Sequence, residues 1–285
     1  MSSFFLRPRQ RGALLVTAGV LLISFDALLV RLAATDGWSV SVWRGLFMAM
    51  ATLPFACRRS VLRAAAVDAS GLWLASFLMA TSSLGLVLAF TLTSAANVVV
   101  ILSAAPLFAA LFSYLFLHEL TPLRTWLAIA VCCGGVAWVM ADSLGHGQLT
   151  GDLLAAGATL LTGAYFTTIR CYPDLPRTPV ISLGGLLLAL FALPLASPFA
   201  LSATSYGWLF VSGFLQMPLA IFLITIGPRY LPAAEVSLFL LLETVLAPLW
   251  VWLVLYEQPP AATITGGVVI LFALLLNTLA GAKED

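Results

Sequence analysis

At 285 residues, with 62% hydrophobic and only 9% charged, the chain lies far outside the range of soluble globular proteins. Its mean hydropathy of +1.07 agrees. The formal net charge is +1 and the basic residues are spread along the chain, which excludes the basic patch that nucleic acid requires and leaves a polytopic membrane protein.

Ten apolar segments are predicted in chain order. Arg7, Arg9 and Arg11 precede the first, 12–32, which is too long for a signal-peptide core and has no A-x-A cleavage site, so it is expected to be retained. It contains Asp26. The second, 38–57, carries Trp43 and Arg44; the third is 71–91; the fourth, 94–117, carries Asn97 and Pro106. The fifth is 123–141, the sixth, 151–171, carries Tyr165, and the seventh is 178–195. The eighth, 204–226, carries Gln216 and Pro218; the ninth, 232–255, carries Glu235, Glu243 and Pro248; the tenth, 261–280, carries Asn277. At about 1.5 Å rise per residue, each can cross a hydrocarbon core of about 30 Å with at most modest thinning. The predicted fold class is an all-α membrane protein of ten transmembrane helices.

The charges orient it. With the N-terminus in the cytoplasm, the inner segments hold Arg7, Arg9, Arg11, Arg58, Arg59, Arg63, Arg124, Arg170, Arg177, Arg229 and Lys283, and the outer segments hold only Arg31. By the positive-inside rule both termini are cytoplasmic and the number of spans is even. No connection exceeds about 15 residues, so no soluble catalytic or nucleotide-binding domain fits between spans.

The chain also repeats itself. Shifted by 138 residues, Leu92-Thr93-Ser94-Ala95-Ala96-Asn97-Val98 lies over Tyr230-Leu231-Pro232-Ala233-Ala234-Glu235-Val236, and 117–122 lies over 255–260. At 139, Gly12, Leu14, Leu15 and Arg31 meet Gly151, Leu153, Leu154 and Arg170. The halves are 1–141 and 142–285. Five helices is an odd number, so the second half enters the membrane in the opposite sense, an inverted repeat whose site is expected near the bilayer centre.

Several of these features resemble the drug/metabolite transporter superfamily, and within it the EamA-type carriers. They are the small-residue start of segments four and nine followed by Glu119 and Glu257, the Gly151-Asp152-Leu153-Leu154 opening, Trp43-Arg44, and Ala105-Pro106-Leu107-Phe108. The family often has Glu-Pro in mid-segment nine; here Glu243-Thr244 precedes Pro248. The resemblance implies a ten-helix inner-membrane carrier of small metabolites, often an exporter of amino acids or related compounds, that hydrolyses no ATP.

Ionisable groups inside spans cost about 2.5–3.5 kcal/mol each on insertion scales and need a reason. Three sit well inside: Asp26, Arg44 and Glu243. Asp26 lies six residues before the outer end of segment one and Arg44 six after the outer start of segment two, so both are about 9 Å deep. They are expected to be neighbours, either as a structural ion pair or as groups facing a cavity, where Arg44 binds a substrate carboxylate and Asp26 an ammonium or a coupling proton. Asp26 aligns with Tyr165. Glu243, near the midplane, suits a proton carrier or an acceptor for a cationic group, against the alternative of a protonated side chain bonded to a neighbouring backbone. Asn97 and Glu235 match one turn into segments four and nine, either lining gates or, as favoured, lying at headgroup level. Gln216 and Asn277 are further polar candidates.

Pro106, Pro218 and Pro248 interrupt segments four, eight and nine as expected hinges. The glycine doublets 134–135, 184–185 and 266–267 are read as close helix contacts. Glu119 and Glu257 are expected to cap or tether loops, with gating as the alternative. Cys57, Cys132, Cys133 and Cys171 are read as small packing residues, and Trp43, Trp73, Trp126, Trp208, Trp250 and Trp252 mostly as an interfacial belt, with a stripe facing a substrate ring as the alternative.

Enzyme motifs are incomplete: His118-Glu119 lacks a second His, no P-loop exists, and Ser212-Gly213 has no membrane histidine as base. No cofactor or metal is expected. The reading is a secondary transporter of an amino-acid-like or opine-type zwitterion, most simply an exporter with possible proton coupling. The alternatives are import of a vitamin-like metabolite, or a channel or scaffold. Arginine outnumbers lysine twelve to one, which hints at a GC-rich genome and a bacterial inner membrane. The sequence leaves oligomeric state open.

Overall fold

The computed structural model describes residues 8–118, 122–144, 147–226, 230 and 233–281. Arg7, Glu119, His146, Arg229, Lys283 and the side chain of Glu235 lie outside the described residues. The helices are α1 Pro8–Ser24, α2 Asp26–Leu32, α3 Gly37–Ala56, α4 Arg59–Val67, α5 Ala69–Leu92, α6 Ala95–Leu102, α7 Ala105–Leu117, α8 Leu123–Leu144, α9 Leu149–Cys171 and α10 Arg177–Ala192. A short 3-10 turn, Leu193–Leu195, follows, then α11 Ala203–Phe210, a π-helical turn Val211–Gln216, α12 Met217–Ile226, α13 Ala233–Leu255 and α14 Ala261–Gly281.

Among the described residues six stretches are long and apolar enough to cross a membrane, or seven if α3 and α4, bent by 102°, count as one span. Phe239–Leu255 and Ala261–Asn277 are shorter apolar helices. The surface is correspondingly apolar: Leu74, Phe77, Phe116, Trp138, Phe222 and Val268 are exposed, while Arg44, Asn97, Asp152 and Gln216 are buried. This reverses the usual soluble arrangement and suits a lipid surround.

Helix starts follow local chemistry. Asp36, Ser94 and Ser202 cap α3, α6 and α11 by accepting the backbone N–H of Ser39, Asn97 and Ser205 at 2.8, 3.1 and 3.1 Å. His118 and Tyr256 end α7 and α13 in the left-handed region, at φ 54° and 56°. These two positions are 138 residues apart, so the repeat is conformational as well as sequential.

Packing follows the same symmetry. Closely packed pairs include α3 with α10, α8 with α14, α5 with α9, and α1 with α12. Exchanging the halves turns the first two pairs into themselves and the last two into each other. Likewise α7 packs on α9 as α13 does on α1, which is what a pseudo-two-fold axis requires.

Three breaks were not expected in this form. α1 and α2 are separated at Phe25 without proline or glycine. Pro106 sits in the first turn of α7, just after the break at Ser103 and Ala104, while Pro218 follows the π turn. α13 runs through Pro248 uninterrupted, because losing one N–H does not end a helix whose neighbouring turns remain bonded. Helix α4 was read as loop; it is a mostly exposed helix carrying Arg59 and Arg63. Of the cysteines only Cys132 is buried, so the packing role assigned to Cys57, Cys133 and Cys171 does not hold.

Candidate functional site

The Phe25 break determines where the polar groups meet. Phe25 N–H turns back to the Leu22 carbonyl at 3.2 Å, and Ser24 Oγ donates to the Leu21 carbonyl at 2.8 Å. Asp26 therefore starts α2, and the carbonyls of Leu22 and Ile23 look outward from the rod. Gln216, the last residue of the π turn, donates its amide to both, at 3.0 and 3.4 Å. From α13, Trp250 stacks on Phe25 at 4.8 Å and donates its indole N–H to Ser24 Oγ at 2.9 Å. Trp250 is thus a packing residue of the break and not part of an interfacial belt.

Beyond the break, Arg44 Nη2 donates to Asp26 Oδ2 at 3.0 Å and Arg44 Nη1 lies 2.9 Å from Asp26 Oδ1. The Arg44 side chain is 2% exposed and that of Asp26 14%, so the expected neighbours form a two-atom pair inside the bundle. Arg44 Nε, Ser212 Oγ and Gln216 Oε1 are buried without hydrogen-bond partners. Each such group costs about 1–3 kcal/mol while unpaired. Glu243 of α13 is half-buried, within electrostatic reach of Asp26, and forms no hydrogen bond or ion pair among the described residues. The bonded alternative considered for it is therefore absent there.

A second polar cluster closes one end of the bundle, where α2, α5 and α13 finish and α6, α9 and α14 begin. Glu257 Oε1 accepts from Arg31 Nη2 at 3.1 Å and from the Ala95 backbone N–H at 3.0 Å, so it caps α6 from the opposite half of the chain. Arg31 also donates to the Thr93 carbonyl at 2.8 Å. Beneath lies Asp152, 0% exposed, which accepts from Thr93 Oγ1 at 2.6 Å, Ser143 Oγ at 2.5 Å and Asn97 Nδ2 at 3.2 and 3.3 Å. Thr263 Oγ1 donates to Asn97 Oδ1 and completes the net. The Trp43 indole and Tyr206 hydroxyl both donate to the Pro198 carbonyl, at 2.7 and 2.9 Å, fixing the last connection at this end.

Asn97 is therefore buried in a latch-like network at this end of the bundle. Glu257 tethers as expected. Tyr165 does not join the ion pair; it packs near Leu175 and Val180 at the other end of α9, where repeat symmetry carries it. Asn277 accepts from Thr125 at 2.9 Å in the α8–α14 pair. A shallow hollow of about 390 Å³ over the latch is lined by Arg31, Thr93, Gln148 and Glu257. Sequence reasoning missed Asp152 and Ser212 as buried polar groups. Asp152 was visible only as part of a motif, and Ser212 as an unremarkable hydroxyl.

The EamA-like transporter family matches the chain twice, over residues 10–141 and 149–279. No curated protein matches it. A solved structure described only as "Crystal structure of protein" is similar at 16% identity and a TM-score of 0.64, covering 96% of this chain and 98% of its own, a likeness of fold alone.

Proposed function

The chain belongs to the EamA-like transporter family, and on that premise we propose that it is a ten-span carrier that moves an amino-acid-like or opine-type zwitterion across the bacterial inner membrane by alternating access. Members of the family carry small molecules across membranes, so its partners are a small-molecule substrate and a lipid bilayer. The two five-helix repeats, 1–141 and 142–285, stand in opposite senses with both termini cytoplasmic. The Glu257 end then faces outward.

The observation that carries this reading is the buried Asp26–Arg44 pair at the Phe25 break, with Glu243 within electrostatic reach of Asp26. A pair placed where a helix is broken can open, because its backbone is already held by side chains of other helices. A carboxylate of the substrate takes the Arg44 fork in place of Asp26, and the released Asp26 takes the ammonium. Glu243 carries the coupling proton. The latch of Arg31, Glu257, Asn97 and Asp152 keeps the outer mouth shut while the site is open inward, and export follows when it parts.

The test is counterflow into proteoliposomes of purified protein with labelled protein amino acids, N-carboxyalkyl amino acids of the opine type, and vitamins. Saturable exchange of a zwitterion is expected. Exchange of vitamins alone would replace the substrate class, and no exchange even with a whole-cell extract would defeat the carrier reading.

A further inference from the structure

The π turn Val211–Gln216 has a local cause. Pro218 offers no N–H to the preceding turn and its ring crowds the Phe214 carbonyl; in response the Met217 N–H reaches five residues back to the Ser212 carbonyl. The widened turn packs against the Arg44 backbone on α3 and against the end of α1. A Cβ on Gly213 would lie 2.7 Å from the Arg44 carbonyl oxygen and 3.1 Å from its Cα, so only glycine lets the turn sit against α3 there. Three residues on, the Gln216 amide holds the carbonyls of Leu22 and Ile23, about one turn before Asp26.

Holding those carbonyls fixes the amide's orientation, since only its NH₂ can donate, and so leaves Oε1 as an acceptor directed elsewhere. Gln216 is 4% exposed and Ser212 1%, yet Gln216 Oε1 and Ser212 Oγ have no partner. Arg44 Nε also lacks a partner, whereas Arg44 Nη1 and Asp26 Oδ1 face each other at 2.9 Å in the ion pair. The unused set therefore contains one acceptor, one N–H donor and one hydroxyl, on α3 and the π turn.

We propose that the π turn is a wall of the substrate site, with Gln216 Oε1 accepting from the ligand's ammonium and Ser212 Oγ donating to its carboxylate, beside Asp26 and Arg44. The inference rests on the carrier reading above and adds to it two recognition atoms that the ion pair does not supply.

The probe is a labelled mixture of the twenty protein amino acids and N-carboxyalkyl amino acids. With Ser212→Ala, KM for the transported component should rise about tenfold while the maximal rate stays within about twofold, the loss of one hydrogen bond to a charged group. In a background lacking the four native cysteines, Ser212→Cys should be blocked by N-ethylmaleimide, and the mixture should protect it; this second readout serves if the alanine variant folds poorly. Wild-type KM in Ser212→Ala, or labelling of Ser212→Cys indifferent to a mixture that the intact protein transports, would overturn the proposal and leave the carrier reading standing. Failure of the intact protein to move the mixture would remove the zwitterion reading and this inference with it.

Discussion

Gly45 of α3 and Gly185 of α10 pack backbone to backbone and do so reciprocally. A Cβ on Gly45 would lie 2.4 Å from the Gly185 carbonyl oxygen, and one on Gly185 would lie 2.6 Å from that of Gly45. Neither atom can yield without moving a helix. Gly45→Ala is therefore expected to destabilise the protein by about 1–3 kcal/mol, the range for forced overpacking. Gly157→Ala in α9, with nothing within 4 Å of the added carbon, should be neutral or stabilising by up to about 1 kcal/mol. Thermal unfolding in detergent compares them; equal effects would count against this close contact.

Breaking the ion pair from one side should be worse than removing it. Asp26→Asn or Arg44→Gln alone leaves a buried group uncompensated and is expected to cost about 3–5 kcal/mol. The double variant should recover at least half of the loss. A double-mutant cycle on thermal stability reads the coupling, and simple additivity would mean the two side chains act independently.

The latch, which the proposed topology places at the outer face, makes a prediction that needs no known substrate. With native cysteines removed and Ser24→Cys introduced, a membrane-impermeant thiol reagent added outside should react slowly. Adding Glu257→Ala, which frees Arg31 and the Ala95 N–H, should speed the reaction about tenfold, as expected for one charge-assisted bond. Asp152→Asn should act in the same direction. Unchanged reactivity in both would make the network a structural tie and not a gate.

Much of this arrangement was legible in the sequence, because depth is. Counting residues from the segment ends put Asp26 and Arg44 at one level, and the 138-residue offset paired the turns at His118 and Tyr256. The break at Phe25 was not legible. It carries no proline or glycine and is held from outside by Gln216 and Trp250, contacts between residues about two hundred positions apart. The π turn left one clue, Pro218, which marks a disturbance without saying what form it takes. Tyr165 was a site candidate through its alignment with Asp26, yet it packs with Leu175 and Val180 at the other end of α9. The contact of Asn97 with Asp152 was not legible either, because distance from the helix start says nothing of the helices around it.

Glu243 is the group to which the coupling proton is assigned. Glu243→Gln should keep counterflow, which needs no net proton movement, and lose uptake driven by an imposed pH gradient. Equal gradient-driven uptake in variant and parent would move the proton site elsewhere.

The most direct test of the account is counterflow of the amino-acid and N-carboxyalkyl panel by the intact protein and by the Asp26→Asn, Arg44→Gln double variant, both verified as folded. The account predicts saturable exchange by the intact protein and none by the variant, since the pair is where the zwitterion is held. Exchange by the folded double variant with the parent's KM would contradict it.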